Sequence, residues 1–260
     1  MSLKIKNFNW KLFFLLWFMV AASIVCVLPY TLTIQSEQIK LLNVPVTMGQ
    51  IIAMQLLTNG LLFGLVIGIG LIIANKIGLG LPFLDAITRR EKITKPFKPI
   101  AWFSIFIGIV FGFIIIGLDT WIFNLKKVGL VLPKTVHPPA WQGFLASFYG
   151  GIAEEVLLRL FLLSLLVWIG NLMTKNKDQH PNIRILWIAN IIAAVIFGLG
   201  HLPATKGMGL PLNTFVITRA IVLNGIAGLA FGWLYWTRGL ESSMIAHFSA
   251  DIVLHVLFAF

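Results

Sequence analysis

A small set of ionisable side chains lies inside stretches of this sequence that are otherwise apolar. They are Glu154, Glu155, Arg159, His201, Arg219, His247, Asp251 and His255. A charged group at bilayer depth costs at least ~2.5–3.5 kcal/mol on insertion scales, so such groups persist when paired or when they line a working cavity. The densest cluster is Ala153-Glu154-Glu155-Val156-Leu157-Leu158-Arg159. On a helix Glu155 and Arg159 stand at i and i+4, one turn apart on one face, and that spacing predicts an ion pair. Glu154 is rotated about 100° from Glu155. It need not share the arginine, which suits it to act as a general base. The plainer reading is a structural Glu–Arg staple, but two adjacent carboxylates cannot both use one arginine well. Phe197-Gly198-Leu199-Gly200-His201 precedes Leu202-Pro203, which should end a helix at the histidine. A lone histidine there could equally be an interfacial cap. His247 and Asp251 are again i and i+4, and His255 continues their stripe. Their plainer reading is a His–Asp hydrogen bond facing the bundle interior.

Taken together, a carboxylate base, two histidines and a further polar group can activate water and stabilise an oxyanion. Two histidines and one glutamate also make a known catalytic zinc set, so Glu154, His201 and His247 are candidate ligands for a divalent metal. No His-Glu-x-x-His helix is present. Neither is a Gly-x-Ser-x-Gly nucleophile motif, and the sole cysteine, Cys26, lies far off in an apolar run where packing explains it. A water-activating hydrolase is the chemistry these residues support best.

What must position them is a membrane bundle. Of 260 residues 58% are hydrophobic and only 11% charged, against about 25% charged in soluble domains. Seven apolar segments, 12–32, 50–74, 99–123, 141–170, 186–201, 212–236 and 240–260, predict an all-α polytopic bundle of about seven spans with its site inside the bilayer. The first is too long for a secretory h-region and is read as an uncleaved span. A net charge of +11 reads as topology and anionic lipid rather than nucleic acid, because Lys and Arg flank the apolar segments. With the N-terminus cytoplasmic and seven crossings, only Lys40, Lys126, Lys127, Lys134 and Lys206 fall outside. Pro133, Pro138 and Pro139 suggest an irregular approach to the fourth span. Residues 1–135 are expected to form an N-terminal set of spans and 136–260 the functional core. Counting along straight helices sets Glu154 and His247 each ~10 Å from the cytoplasmic side, but His201 ~22 Å from it.

The order Glu-Glu-x-x-x-Arg, Phe-x-x-x-His, His-x-x-x-Asp resembles the CPBP intramembrane endopeptidases, the CAAX-processing and bacteriocin-processing proteases also called the Abi family. The matching residues are Glu154-Glu155-x-x-x-Arg159, Phe197-x-x-x-His201 and His247-x-x-x-Asp251. The resemblance implies that Glu154 activates water with His201 beside it, that Glu155 and Arg159 position Glu154, and that His247 and Asp251 stabilise the oxyanion. Asp251 stands where the CAAX-processing branch has Asn. A carboxylate donates to an oxyanion only when protonated, or it orients His247 instead. The family is named a metalloprotease group and a metal-free glutamate mechanism is also held for it, so the implied cofactor is none or a divalent metal such as zinc. The implied partner is a membrane peptide or protein: a prenylated CAAX peptide, a bacteriocin leader or a membrane-protein segment. Two other classes stay open, a non-catalytic scaffold on the same fold and an ion-coupled transporter using Glu154, Arg159 and Asp251. The missing internal repeat counts against the transporter.

Overall fold

A computed structural model describes residues 6–36, 47–130, 138–174 and 181–258, and among them there is no strand. The chain runs through α1 (Trp10–Ile34), α2 (Met48–Ile77), α3 (Pro82–Arg89), α4 (Phe97–Trp121), a 3-10 turn (Leu125–Val128), α5 (Ala140–Met173), α6 (Ile183–Gly200), α7 (Leu202–Gly207), α8 (Thr214–Arg238) and α9 (Leu240–Ile252). All seven apolar segments are therefore helical. Six helical stretches, Trp10–Ile34, Met48–Ile77, Phe97–Val128, Ala140–Met173, Ile183–Gly207 and Thr214–Arg238, are long and apolar enough to cross a bilayer. The seventh segment differs. α9 is buried along nearly its whole length, with Glu241, Ser242, Ser243, His247 and Asp251 all inside. It is the central helix of the bundle. Pro133, expected to disturb the fourth span, falls outside the described residues.

Helix starts follow from local chemistry. The Asn9 side chain accepts from the Leu12 amide at the head of α1. Thr47 and Gln50 form a reciprocal capping box on α2. Each outer helix buries one stripe, such as Leu12, Leu16, Val20 and Ile24 on α1, and leaves residues equally apolar exposed, such as Trp10, Phe14 and Phe18. A helix that is apolar all round faces lipid on its open side. One buried cluster joins Leu12, Leu16 and Val20 of α1, Val66 and Ile67 of α2, and Val156, Leu160 and Leu163 of α5. Residues before and after 135 thus share a core.

Small residues let the inner helices touch. A Cβ on Gly108 of α4 would strike the Ala246 backbone and the Ser249 side chain of α9. Ser104 and Ser242 share a 2.6 Å hydrogen bond along the same seam. Glycines of α8 do the same service against α6, where Asn190 Nδ2 donates to the Leu229 carbonyl at 2.9 Å. Lipid tails give no hydrophobic drive between helices, so close packing and such hydrogen bonds hold the bundle.

Polar groups gather at one end. Lys6, Asn9, Asn75, Asp85, Arg89 and Glu91 interlock there, with Lys6 Nζ 2.6 Å from Glu91 Oε2 and Arg89 Nε 2.8 Å from Asp85 Oδ1. Burial raises the Asp85 carboxyl, but hydrogen bonds from Asn9 and Arg89 outweigh it and hold the group below the ordinary carboxylate range. The hydrogen bond to Glu91 raises Lys6 above the ordinary lysine value. The amphipathic α3 is tied into this end by Glu241 Oε1, which accepts from the amides of Phe83 (2.9 Å) and Leu84 (2.8 Å).

Candidate active site

α5 is one continuous helix from Ala140 to Met173, but residues Tyr149–Glu154 and Val156–Leu163 are π-helical. Such bulges occur mostly at functional sites. Glu154 and Glu155 straddle the junction of the two π stretches. The expected ion pair forms: Arg159 Nη1 lies 2.9 Å from Glu155 Oε1, and both side chains are buried. Arg159 Nη2 also donates to the Gly228 carbonyl at 3.1 Å, and its guanidinium lies over the rings of Phe197 and Phe231 at 5.1 and 5.7 Å. Glu155 takes further contacts from α9. His247 Nδ1 is 2.7 Å from Oε1, and Ser243 Oγ lies against Oε2 while also reaching the Phe231 carbonyl at 2.9 Å. The His247 ring stacks on Phe231 at 4.8 Å. Glu155 is therefore fully engaged, as a buried carboxylate must be.

Glu154 stands apart. It keeps 22% of its side chain exposed, against 0% for Glu155, and its Oε2 is 3.7 Å from His247 Nε2. On the same nitrogen, also at 3.7 Å, converges Asp251 Oδ1. With Nδ1–H donated to Glu155, Nε2 is the face of the imidazole turned toward both remaining carboxylates. Gly150 makes this approach possible. A Cβ there would meet Asp251 Oδ2 and come within 3.1 Å of His247 Nε2.

His201 is present, but by a different route. It closes α6, and its Nδ1 sits 2.9 Å from the Phe197 carbonyl. It makes no hydrogen bond or ion pair with Glu154. The Phe197 ring meets both imidazoles edge-on, His201 at 4.8 Å and His247 at 5.7 Å. Phe197 thus links the two histidines that the depth count had set apart. α5 spans 34 residues, about 51 Å at 1.5 Å per residue, so depths counted from its outer end through a ~30 Å slab misjudge its level.

The candidate metal set is not assembled into a ligand cluster in this structure. Among the described residues no group of three or more His, Cys, Asp or Glu side chains converges to hold a metal ion. Glu154 and His247 face each other, and His201 holds its Nδ1 against the Phe197 carbonyl. Several site neighbours went unread in the sequence: Ser243, Phe231, Gly150 and Tyr30, which reaches His255 from α1. Ser243 alone carried a signal, since it lies four residues before His247 on the same face.

The fold and this cluster define a multi-pass helical membrane protein with a polar site enclosed by its inner helices. Residues 136–253 match the family described as Type II CAAX prenyl endopeptidase Rce1-like, a match consistent with the resemblance to the CPBP intramembrane proteases. The segment holds every motif residue from Glu154 to Asp251. It names the CAAX-type branch and carries nothing for the bacteriocin-processing or metalloprotease readings. No curated protein matches the chain, and neither does any solved structure.

Proposed function

We propose that this protein is an intramembrane endopeptidase of the CAAX type that cleaves by glutamate-activated water. The observation that carries the reading is the division of labour between adjacent carboxylates. Glu155 is saturated by Arg159, His247 and Ser243, whereas Glu154 is part-exposed and faces His247 Nε2 across 3.7 Å. That separation suits a bridging water rather than a direct hydrogen bond. Glu154 takes a proton from this water as its oxygen bonds to the scissile carbonyl carbon. His247, held by Glu155 at Nδ1, offers an Nε2–H of the imidazolium to the resulting oxyanion. Glu154 then returns the proton to the leaving nitrogen as the C–N bond breaks. Asp251 stands beside Glu154 at the Nε2 edge of His247, and Phe197 and His201 wall the site.

A long apolar groove supports a lipidated substrate. Its volume is about 820 Å³, and it runs along α9 past Met244, Ile245, Phe248 and Ile252, with Phe148 and Ile152 of α5 opposite. That size is within the range of small-molecule sites. We take 136–260 as the catalytic core, completed by the helices of 1–135, and assign the basic, polar end to the cytoplasm on its Lys and Arg excess. The test is a quenched fluorescent peptide with a farnesyl thioether on Cys followed by three residues, offered to the protein in liposomes. Wild type should cleave after that Cys and Glu154→Gln should not, with the same thermal midpoint. Equal turnover by the two proteins would sink the reading.

A further inference from the structure

Beyond the family-matched segment the site continues. His255 Nε2 lies 4.0 Å from Asp251 Oδ1, the same oxygen that His247 Nε2 approaches at 3.7 Å. On its other nitrogen, Nδ1, His255 meets the Tyr30 hydroxyl at 3.2 Å, and the two rings pack edge to face at 5.4 Å. Tyr30 belongs to α1, 225 residues away in sequence. His255 itself lies in a π-helical stretch, Val253–Leu257. Its backbone is fixed from α5, because a Cβ on Gly143 would overlap the His255 carbonyl. Asp251 is thus flanked by two imidazoles, one of which is held by a phenol.

We infer that Tyr30 and His255 are positioning residues that orient Asp251, and through it His247, so that the first helix is a working part of the site. Tyr30 O–H donates to His255 Nδ1. That fixes the neutral tautomer with its proton on Nε2, directed at Asp251. Asp251 Oδ1 then lies 4.0 Å from His255 Nε2 and 3.7 Å from His247 Nε2, an electrostatic link that leaves the Nε2–H of His247 available to the oxyanion. The chain Tyr30–His255–Asp251–His247–Glu155 is continuous, each link 4.0 Å or less. An aspartate at position 251 places a negative charge between the two imidazoles, where an amide would place none. The titratable groups facing Asp251 and His255 are Glu154 and Glu155 of α5, His201 at the end of α6, His247 of α9 and Tyr30 of α1.

The inference rests on the endopeptidase reading for its catalytic meaning, and two measurements separate them. In liposomes with the farnesylated peptide, Tyr30→Phe and His255→Gln should each lower kcat about tenfold, the worth of one good hydrogen bond, with KM unchanged. Both should displace the pH–rate profile, which a purely structural loss would leave in place. Independently of turnover, 15N-histidine NMR of the full chain in nanodiscs should find His255 as the Nε2–H tautomer, assigned by its loss in His255→Gln. Tyr30→Phe should mix that tautomer and move the His247 resonances as well. A wild-type profile and kcat in Tyr30→Phe, with an active wild type and inactive Glu154→Gln, overturns the positioning role alone. Unmoved His255 and His247 resonances in Tyr30→Phe overturn it too, whatever the activity. Absence of cleavage by wild type, with the resonances coupled as described, overturns the endopeptidase reading and leaves the chain of contacts standing.

Discussion

Replacing Gly150 by alanine adds one methyl group and removes nothing, yet it is expected to silence the site. The new Cβ would meet Asp251 Oδ2 and lie 3.1 Å from His247 Nε2. His247 has little room to yield, because Glu155 holds Nδ1 at 2.7 Å and Phe231 stacks on its ring. Asp251, on a short and buried side chain, must rotate instead. Overpacking of this kind costs about 1–3 kcal/mol. Against it, alanine gains up to ~1 kcal/mol over glycine in a helix. The net loss of stability is then about 0–2 kcal/mol, small enough for the fold to survive. Catalysis is less forgiving, since a ~1 Å misplacement of reacting groups costs about 100-fold. The assay pairs turnover of the farnesylated peptide with the thermal midpoint in detergent. Gly64→Ala is the control, because its Cβ would meet only Trp17, at 3.8 Å. Gly150→Ala with wild-type turnover would refute the claim that this backbone is bare to admit Asp251 and His247.

Other expectations follow from the same contacts. Arg159→Met leaves Glu155 buried without its cation and should cost about 3–5 kcal/mol, read as a lost or sharply lowered unfolding midpoint. Asp119 and Arg219 form a two-pronged pair at 2.6 and 2.7 Å between α4 and α8. Asp119 is partly exposed, so a double-mutant cycle with Asp119→Asn and Arg219→Gln should couple by only about 1 kcal/mol. At the polar end, the lowered Asp85 makes its contribution in full above the ordinary carboxylate value, and it fades as pH falls through the folded value, below about 4. The raised Lys6 acts in the opposite sense, contributing below about pH 10 and losing effect as pH rises past its folded value. Proteolysis at residues 6–9 should therefore stay slow between those limits and speed up beyond them; a uniform rate from pH 3 to 11 would count against the tether.

Much of the architecture could be read from apolar runs, and each of the seven became helix within a few residues of the expected bounds. The Glu155–Arg159 pair was also legible, because i,i+4 spacing survives even where the helix is π-wound. The winding itself was not. An i→i+5 register leaves no mark in a sequence that is apolar on every side, as Val156–Leu163 is. The last segment stands apart from the six long apolar helices because six buried polar residues interrupt its apolarity. Tyr30 was out of reach for a simpler reason: one hydroxyl on a lipid-facing helix says nothing of a partner 225 residues on.

Glu154 and Glu155 show why neither burial nor charge alone marks a catalytic group here. Both are glutamates on one helix, separated by a single peptide bond. Taking one carboxylate out of water costs several kcal/mol, and only close partners offset it. For Glu155 those partners are Arg159, His247 and Ser243, so any movement of its charge would strand Arg159 between two phenylalanine rings. It is a fixed point from which His247 is aimed. Glu154 has no partner at hydrogen-bond distance and retains some exposure, which is why the proposed mechanism assigns the base role to it. In the proposed mechanism the two roles require each other: a base at Glu154 has use only because the paired carboxylate next to it holds Nε2 of His247 within 3.7 Å. Glu155→Gln should therefore lower kcat while Glu154 stays intact, because an amide at that position no longer holds the imidazolium at Nδ1. A Glu155→Gln enzyme with full kcat would mean that His247 is aimed by something other than this carboxylate.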